Sequence, residues 1–221
     1  MAYIDFLTEI HSATKRDYIG RVNEFPKAEA SRVAKQYGFD YWDGERHFGY
    51  GGYKYIEGYW ARVAKPLIDH YGLKDGDSVL DVGCGKAFLL YEMKRILPGL
   101  EISGLDISQY GINHAKKDIK PFLTVGNAID LPYNDNQFDL VFSINTLHNL
   151  YIYDLEKAIQ EIERVGVRNK YIVVESYRNL EEKTNLLYWV LTGECYFTPR
   201  EWEWFYDRCN YTGDHSFIYF E

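Results

Sequence analysis

Cysteine is scarce: Cys84, Cys195 and Cys209 are an odd, widely spaced set in 221 residues. They supply neither a disulfide framework nor a CxxC metal site, and they point to a reducing, cytoplasmic setting. The six histidines, His11, His47, His70, His114, His148 and His215, make no HxH or HExxH spacing, so no metal is expected. No stretch approaches the ~20 apolar residues of a membrane-spanning helix. Met1 to Lys15 carries Asp5, Glu9 and His11 among its apolar residues and does not read as a signal peptide. Basic residues are in deficit, with 25 Lys and Arg against 33 Asp and Glu and a net charge of −8. Nucleic acid is therefore not an expected partner. Internal repeats and low-complexity runs are missing too.

What is present is a globular balance, 46% hydrophobic and 26% charged, on a chain long enough to bury a core without staples. There are 21 tyrosines. Tyr37, Tyr41, Tyr50, Tyr53, Tyr55 and Tyr59 crowd one short segment, which is either a packing layer or a pocket wall.

The pattern changes near residue 75, dividing an N-terminal helical, Tyr-rich cap or lid (1–74) from a second region (75–221). In the first, residues 26–37 predict a helix with Pro26 at its start and Gly38 as its stop. Residues 41–53 predict a loop. Residues 56–71 predict a helix ending at Gly72, kinked or broken by Pro66. In the second, strands are expected at 78–82, 101–105, 122–125, 138–144 and 170–175. Helices are expected at 86–97, from Ser108 to about 117, and at 154–165. Such alternation, with almost wholly apolar strands, predicts an α/β fold: a Rossmann-like, doubly wound and mostly parallel sheet. Beyond it come a helix at 181–191, a capping box Thr198-Pro199-Arg200-Glu201 opening a helix to about Cys209, and a last strand at 216–220.

The first strand runs into Asp81-Val82-Gly83-Cys84-Gly85-Lys86-Ala87 and a helix follows. Glycines let the backbone turn tightly, and the helix N-terminus offers free N–H groups. Phe88 stands where a full dinucleotide fingerprint would have a third glycine. Asp106 closes the second strand, 21 residues beyond Gly85, near the spacing at which an acid meets ribose hydroxyls. Ser108 is the better helix cap, which leaves Asp106 for a ligand. Asp81, just before the glycines, would repel a pyrophosphate and attract an ammonium or sulfonium. That moves the choice from NAD towards S-adenosylmethionine.

The runs VLDVGCGKAFLL (79–90), SGLDIS (103–108) and VGNAIDLPYNDNQFDLVFSINTLHNL (125–150) resemble the class I S-adenosylmethionine-dependent methyltransferases. The resemblance covers about Ser78 to Glu175. It is nearest the small-molecule branch with the ubiquinone and menaquinone methyltransferases. It implies a seven-stranded sheet of order 3-2-1-4-5-7-6 with the cofactor across its carboxyl edge. It also implies that Asp81, Gly83 and Gly85 hold the methionine side. Cys84, inside the turn, is expected to pack under the cofactor, with a redox or metal role as its other use. Asp106 would hold the ribose and Ile107 would pack on adenine. Asn127 and Ala128 would sit at the adenine edge, and Asn145 and Thr146 would line the border with the acceptor. The product would be S-adenosylhomocysteine. Ala87 replaces the family's third glycine, and Val165–Asn169 replaces the usual turn before strand five. Only one clear strand follows strand five, so either the edge hairpin is reduced or a strand lies within 188–197.

Methyl transfer from a sulfonium is an in-line displacement, and a base is needed only where the acceptor loses a proton. His148, after the fourth strand, is one candidate base, with a loop hydrogen bond as its other use. Glu175, ending the fifth strand, is a second, or else a solvated strand end. Arg178 could clamp an anion or form a surface ion pair, with Tyr177 beside it. Tyr50, Tyr53, Tyr55 and Trp60 are candidates for an acceptor wall or lid, against ordinary packing.

The expected activity is methyl transfer to an oxygen or nitrogen of a small polar metabolite, with a nucleotide-sugar or polysaccharide precursor as one acceptor class. The alternatives are a non-catalytic S-adenosylmethionine sensor or complex partner, an enzyme using a carboxylated cofactor held by Arg178 or Arg46, and an NAD oxidoreductase. A homo-oligomer is left open.

Overall fold

The computed structural model describes residues 1–12 and 15–221. Ahead of the first strand lie α1 (Thr8–Ser12), α2 (Tyr18–Glu24), α3 (Lys27–Ala34), α4 (Phe39–Trp42) and α5 (Ala61–Tyr71). Strands and helices then alternate: β1 (Ser78–Val82), α6 (Phe88–Ile96), β2 (Glu101–Asp106), α7 (Gln109–Asn113), β3 (Leu123–Val125) and β4 (Phe138–Ile144). The remainder is α8 (Ile152–Val165), β5 (Gly166–Glu175), α9 (Leu180–Trp189), α10 (Pro199–Arg208) and β6 (Asp214–Ile218). Among the described residues no helix is long and apolar enough to cross a membrane.

The strands form one six-stranded sheet, β3-β2-β1-β4-β5-β6, parallel at every pairing. The reduced edge is therefore the form found, and the implied seven-strand order gives way to six. β6 pairs with β5 in parallel, from Tyr171↔Asp214 to Glu175↔Ile218. Two helices, α9 and α10, supply the long connection that parallel neighbours need. Residues 188–197 contribute only the bridge Ser176↔Phe197, while Tyr3 bridges to His215 of β6.

Side chains alternate across the strands, so each strand feeds two cores. Val79, Leu140, Phe142, Tyr171 and Val173 pack with α1, α5, α6 and α9. Leu80, Val82, Val141, Ile172 and Val174 pack with α8 and α10. In α8 the buried residues are Leu155, Ala158, Ile159, Ile162 and Val165, one helical stripe. Each of its larger side chains contributes about 1.5–3 kcal/mol by burial. Leu7, Ile10, Val63 and Leu67 lie in the same core as the sheet, so α1 and α5 are packed on it directly.

Two local expectations change. α5 begins at Ala61 and runs unbroken through Pro66 to a left-handed Gly72. α3 is followed by a left-handed residue at Tyr37 (φ 49°), not at Gly38. The Tyr37 carbonyl accepts from Ser108 Oγ (2.5 Å) and Trp42 Nε1 (3.2 Å). Those bonds hold a conformation that costs a non-glycine residue about 1–2 kcal/mol.

Candidate functional site

β1 brings Asp81 to the carboxyl edge of the sheet, and the chain turns through Gly83 and Gly85 at φ of 87° and 59° into α6. A Cβ on Gly83 would lie 2.1 Å from Thr146 Oγ1, and one on Gly85 2.6 Å from the Trp42 ring. Glycine is needed at both for sterics as well as for φ. The Gly83 and Cys84 N–H groups donate to Leu105 O at 2.7 and 3.1 Å, fixing the turn to the end of β2. Cys84 Sγ packs against Gly104, 2.9 Å from where a Cβ would stand, and burial pushes its thiol pKa well up.

Asp106 organises this turn. Its Oδ2 accepts from Gly85 N–H and its Oδ1 from Ser108 N–H, both at 2.7 Å. Each oxygen retains a further acceptor position. Burial raises its proton affinity, against the pull of those two N–H groups. Asp81 is more exceptional. It is 4% exposed, and its Oδ1 has no hydrogen-bond partner among the described residues. Burial and the nearby Asp106 push its pKa well above the usual carboxylate range.

A cavity of about 710 Å³ opens at this edge. Asp81, Gly83, Cys84, Gly85 and Asp106 line it from β1 and β2. Ile107, Asn127, Ala128, Asn145 and Thr146 line it from the loops after β2, β3 and β4. Ile107 is 57% exposed on the cavity wall. Asn127 Oδ1 accepts from Ile129 N–H at 3.2 Å. Asn145 has a left-handed φ of 55° and a buried Oδ1 without a partner.

His148, Glu175, Tyr50, Tyr53 and Trp60 line the same cavity. Tyr50 stacks on Trp42 (5.3 Å, 6°) and Tyr53 on Phe88 (5.2 Å, 26°). His148 and Glu175 are adjacent: Glu175 N–H donates to His148 Nδ1 at 3.4 Å, and His148 Nε2 lies 3.3 Å from Glu175 Oε2. Burial drives His148 down to about 3. Burial drives Glu175 up to about 8, against the pull of Arg16 and Lys27. Burial thus favours the uncharged form of both groups.

Three candidates are absent from the cavity lining. Tyr55 OH is hydrogen-bonded to Glu92 (2.5 Å) and Arg95 (2.9 Å) of α6. Tyr177 has Lys183 over its ring at 4.7 Å. Arg178 forms ion pairs with Glu182 (2.5 Å) and Glu221, with its guanidinium over Tyr219. The surface ion pair is the use its sequence left open. Residues that sequence reasoning missed as cavity wall include Arg16, Arg21, Trp42, Asn149 and Trp189.

Residues 42–53 are tied to the turn. Trp42 Nε1 donates to Ser108 Oγ at 2.9 Å. Lys86, only 4% exposed, donates to both Asp43 oxygens and to Tyr53 O, each at 2.7 Å.

Four buried oxygens on the wall have no hydrogen-bond partner among the described residues: Asp81 Oδ1, Asn145 Oδ1, Asn149 Oδ1 and Glu175 Oε2. Such groups are costly unless a ligand supplies donors. A ligand with an ammonium, ribose hydroxyls and an exocyclic amine matches that need, so S-adenosylmethionine fits these unpartnered acceptors. Among the described residues no three His, Cys, Asp or Glu side chains converge as a metal site.

Residues 73–209 match a family model described as a methyltransferase domain. Demethylmenaquinone methyltransferase of Symbiobacterium thermophilum is 29% identical over 116 residues, 49% of this chain and 45% of that protein. Norajmaline N-methyltransferase of Rauvolfia serpentina is 31% identical over 123 residues, 52% of this chain and 41% of that protein. The aligned part thus spans less than half the length of these curated relatives. A chain from the complex with the Haloferax volcanii Trm112 methyltransferase activator shares the fold, with a TM-score of 0.57 at 19% identity. That likeness covers 89% of this chain and 77% of the other. The family match extends over more than half of the chain and contains the glycine turn, Asp81 and Asp106: the chain belongs to the class I methyltransferases, whose cofactor is S-adenosylmethionine.

Proposed function

We propose that this chain transfers a methyl group from S-adenosylmethionine to an oxygen or nitrogen of a small polar metabolite. One observation carries the reading: the glycine turn with its two acids and the tunable carboxyl of Glu175 line a single cavity. When bound, S-adenosylmethionine supplies a methyl group on a cationic sulfur, so a hydroxyl or amine acceptor must give up a proton.

In this reading Asp106 accepts from the ribose hydroxyls with its free lone pairs, and Asp81 accepts from the ammonium. Ile107 lies on adenine, and Asn127 and Ala128 border its edge. Tyr50, Tyr53 and Trp60 wall the acceptor and exclude water. Alignment of the acceptor supplies much of the rate. Glu175 takes the acceptor proton, since a carboxyl titrating near 8 is matched to proton transfer close to neutrality. His148 is a positioning residue, not the base. Burial holds its proton affinity too low, and its ring contacts both the backbone and the side chain of Glu175.

The test is a panel of sugars, nucleotide sugars, amines and organic acids incubated with S-adenosylmethionine, reading S-adenosylhomocysteine and methylated product by mass spectrometry. Turnover is expected with one acceptor class, falling about 10²–10⁴-fold in Glu175→Gln. Tight binding of S-adenosylmethionine with no turnover on any acceptor would instead establish a non-catalytic sensor.

A further inference from the structure

The chain carries a net charge of −8, yet three guanidinium groups converge on one indole at the cavity. The Cζ atoms of Arg21, Arg46 and Arg16 lie 4.6, 4.9 and 5.6 Å from the Trp189 ring centroid. Arg16 lies over Phe220 as well, at 5.2 Å. Arg21 comes from α2, Arg46 from the lid and Trp189 from the end of α9, so only tertiary packing assembles the group. Backbone carbonyls hold it in place. Arg21 Nε donates to Trp189 O (2.9 Å) and its NH1 to Arg46 O (3.0 Å), and Arg46 NH1 donates to Gly49 O.

The remaining arginines have ordinary surroundings. Arg62, Arg95, Arg164, Arg168 and Arg178 each pair with a carboxylate. Arg32, Arg200 and Arg208 are exposed. Among the described residues, neither Arg21 nor Arg46 has a carboxylate within 4.0 Å. Burial and the like charge of Arg46 pull the Arg21 pKa down to about 10, against the pull of Glu24. A planar cation laid on an aromatic face can still donate at its edge: with Nε and NH1 on carbonyls Arg21 offers NH2, and Arg46, with NH1 on Gly49 O, offers its Nε–NH2 edge to an anion. The cavity is therefore polarised, with Asp81 and Asp106 at the glycine turn and guanidinium groups beside Trp189.

We propose that the methyl acceptor carries an anionic group, a carboxylate or a phosphate, that seats on Arg21 and Arg46 over Trp189. This rests on the methyltransferase reading of the same cavity. It narrows the acceptor from polar metabolites in general to acids. An anion held there places the rest of the acceptor within the same cavity as Glu175.

Calorimetric titration of the full chain at low ionic strength, with S-adenosylhomocysteine present, tests this with inorganic phosphate and benzoate as probes. Benzyl alcohol is the neutral control. Phosphate or benzoate should bind where benzyl alcohol does not, and the tighter of the two names the anion class. Arg21→Gln and Arg46→Gln should each weaken that binding at least tenfold. Arg62→Gln, on the surface, should leave it unchanged. Arg46→Gln is the safer variant, because the residue is exposed and, among the described residues, its side chain donates only to Gly49 O. S-adenosylmethionine is titrated into the same variants. Unchanged affinity there supports the proposal. An equal loss would assign the arginines to the cofactor's own carboxylate and overturn it. Failure of both anions to bind a chain that binds S-adenosylmethionine would overturn it while sparing the methyltransferase reading. Anion binding without S-adenosylmethionine binding would remove that reading, and the anionic acceptor with it.

Discussion

Replacing Asp81 by Asn should move folding stability and cofactor affinity in opposite directions. Asp81 is buried, its Oδ1 has no partner among the described residues, and a second buried acid, Asp106, stands nearby. Its pKa is raised by burial first and by Asp106 second. The sign follows from linkage. A carboxyl with a raised folded-state pKa holds more protons folded than unfolded, so stability falls as pH rises above the ordinary carboxylate range. Each unit of elevation costs the folded state about 1.4 kcal/mol at pH above the shifted value. Asparagine keeps the shape and removes that cost. With the buried charge gone, a gain of about 1–3 kcal/mol is expected without ligand, less than the full cost because the amide is still an unpaired buried polar group. For a domain of this size that raises Tm by roughly 2–12 °C. The gain should be present at pH 8 and largely gone near pH 4, where Asp81 is protonated when folded and already about half protonated when unfolded. The same change should weaken S-adenosylmethionine by about 1.5–3 kcal/mol, a loss of roughly 10- to 150-fold. Differential scanning fluorimetry at both pH values and calorimetric titration read the two effects. A stability gain equal at pH 4 and 8, or an unaltered affinity, would refute the reasoning.

Three further outcomes follow from the geometry. With Glu175 at about 8, kcat/KM should rise about tenfold per pH unit below 8 and level off above it, because only the deprotonated carboxyl accepts a proton. Glu175→Gln should abolish that limb in a pH–rate profile. Gly83→Ala places a Cβ 2.1 Å from Thr146 Oγ1 at φ 87°. It should cost about 2–5 kcal/mol in chemical denaturation, combining left-handed strain with overpacking. Lys86→Met leaves Asp43 with only Tyr110 (2.8 Å) and Tyr53 N–H (3.1 Å). Since Asp43 is part-exposed, a loss of up to about 3 kcal/mol is expected, with faster proteolytic cleavage between residues 39 and 60.

The cofactor half of the cavity was legible because its signal is local. Strand, glycine turn, helix and strand-end acid follow one another along the chain, and a parallel sheet places successive strand ends side by side. The acceptor half is assembled at long range. Arg16, Arg21, Arg46 and Trp189 share no spacing, and nothing in a sequence lays α2 against α9. Among the clustered tyrosines, Tyr53 faces the cavity and Tyr55, two residues on, turns to Glu92 and Arg95. Irregular chain has no period to predict that change. Arg178 did carry a readable sign, since Glu182 stands four residues later and the ion pair forms there. The parallel last strand was not readable, because strand direction depends on how α9 and α10 cross the sheet. His148 sits between Leu147 and Leu150, and the apolar surroundings that lower its pKa are mostly tertiary.

A crystal structure of the chain with S-adenosylhomocysteine tests the central claim most directly. The account predicts ribose hydroxyls on Asp106, the amino group at Asp81 Oδ1, and the sulfur facing the part of the cavity that holds Glu175 and Arg21. A ribose away from Asp106, or a sulfur turned from Glu175, would contradict it.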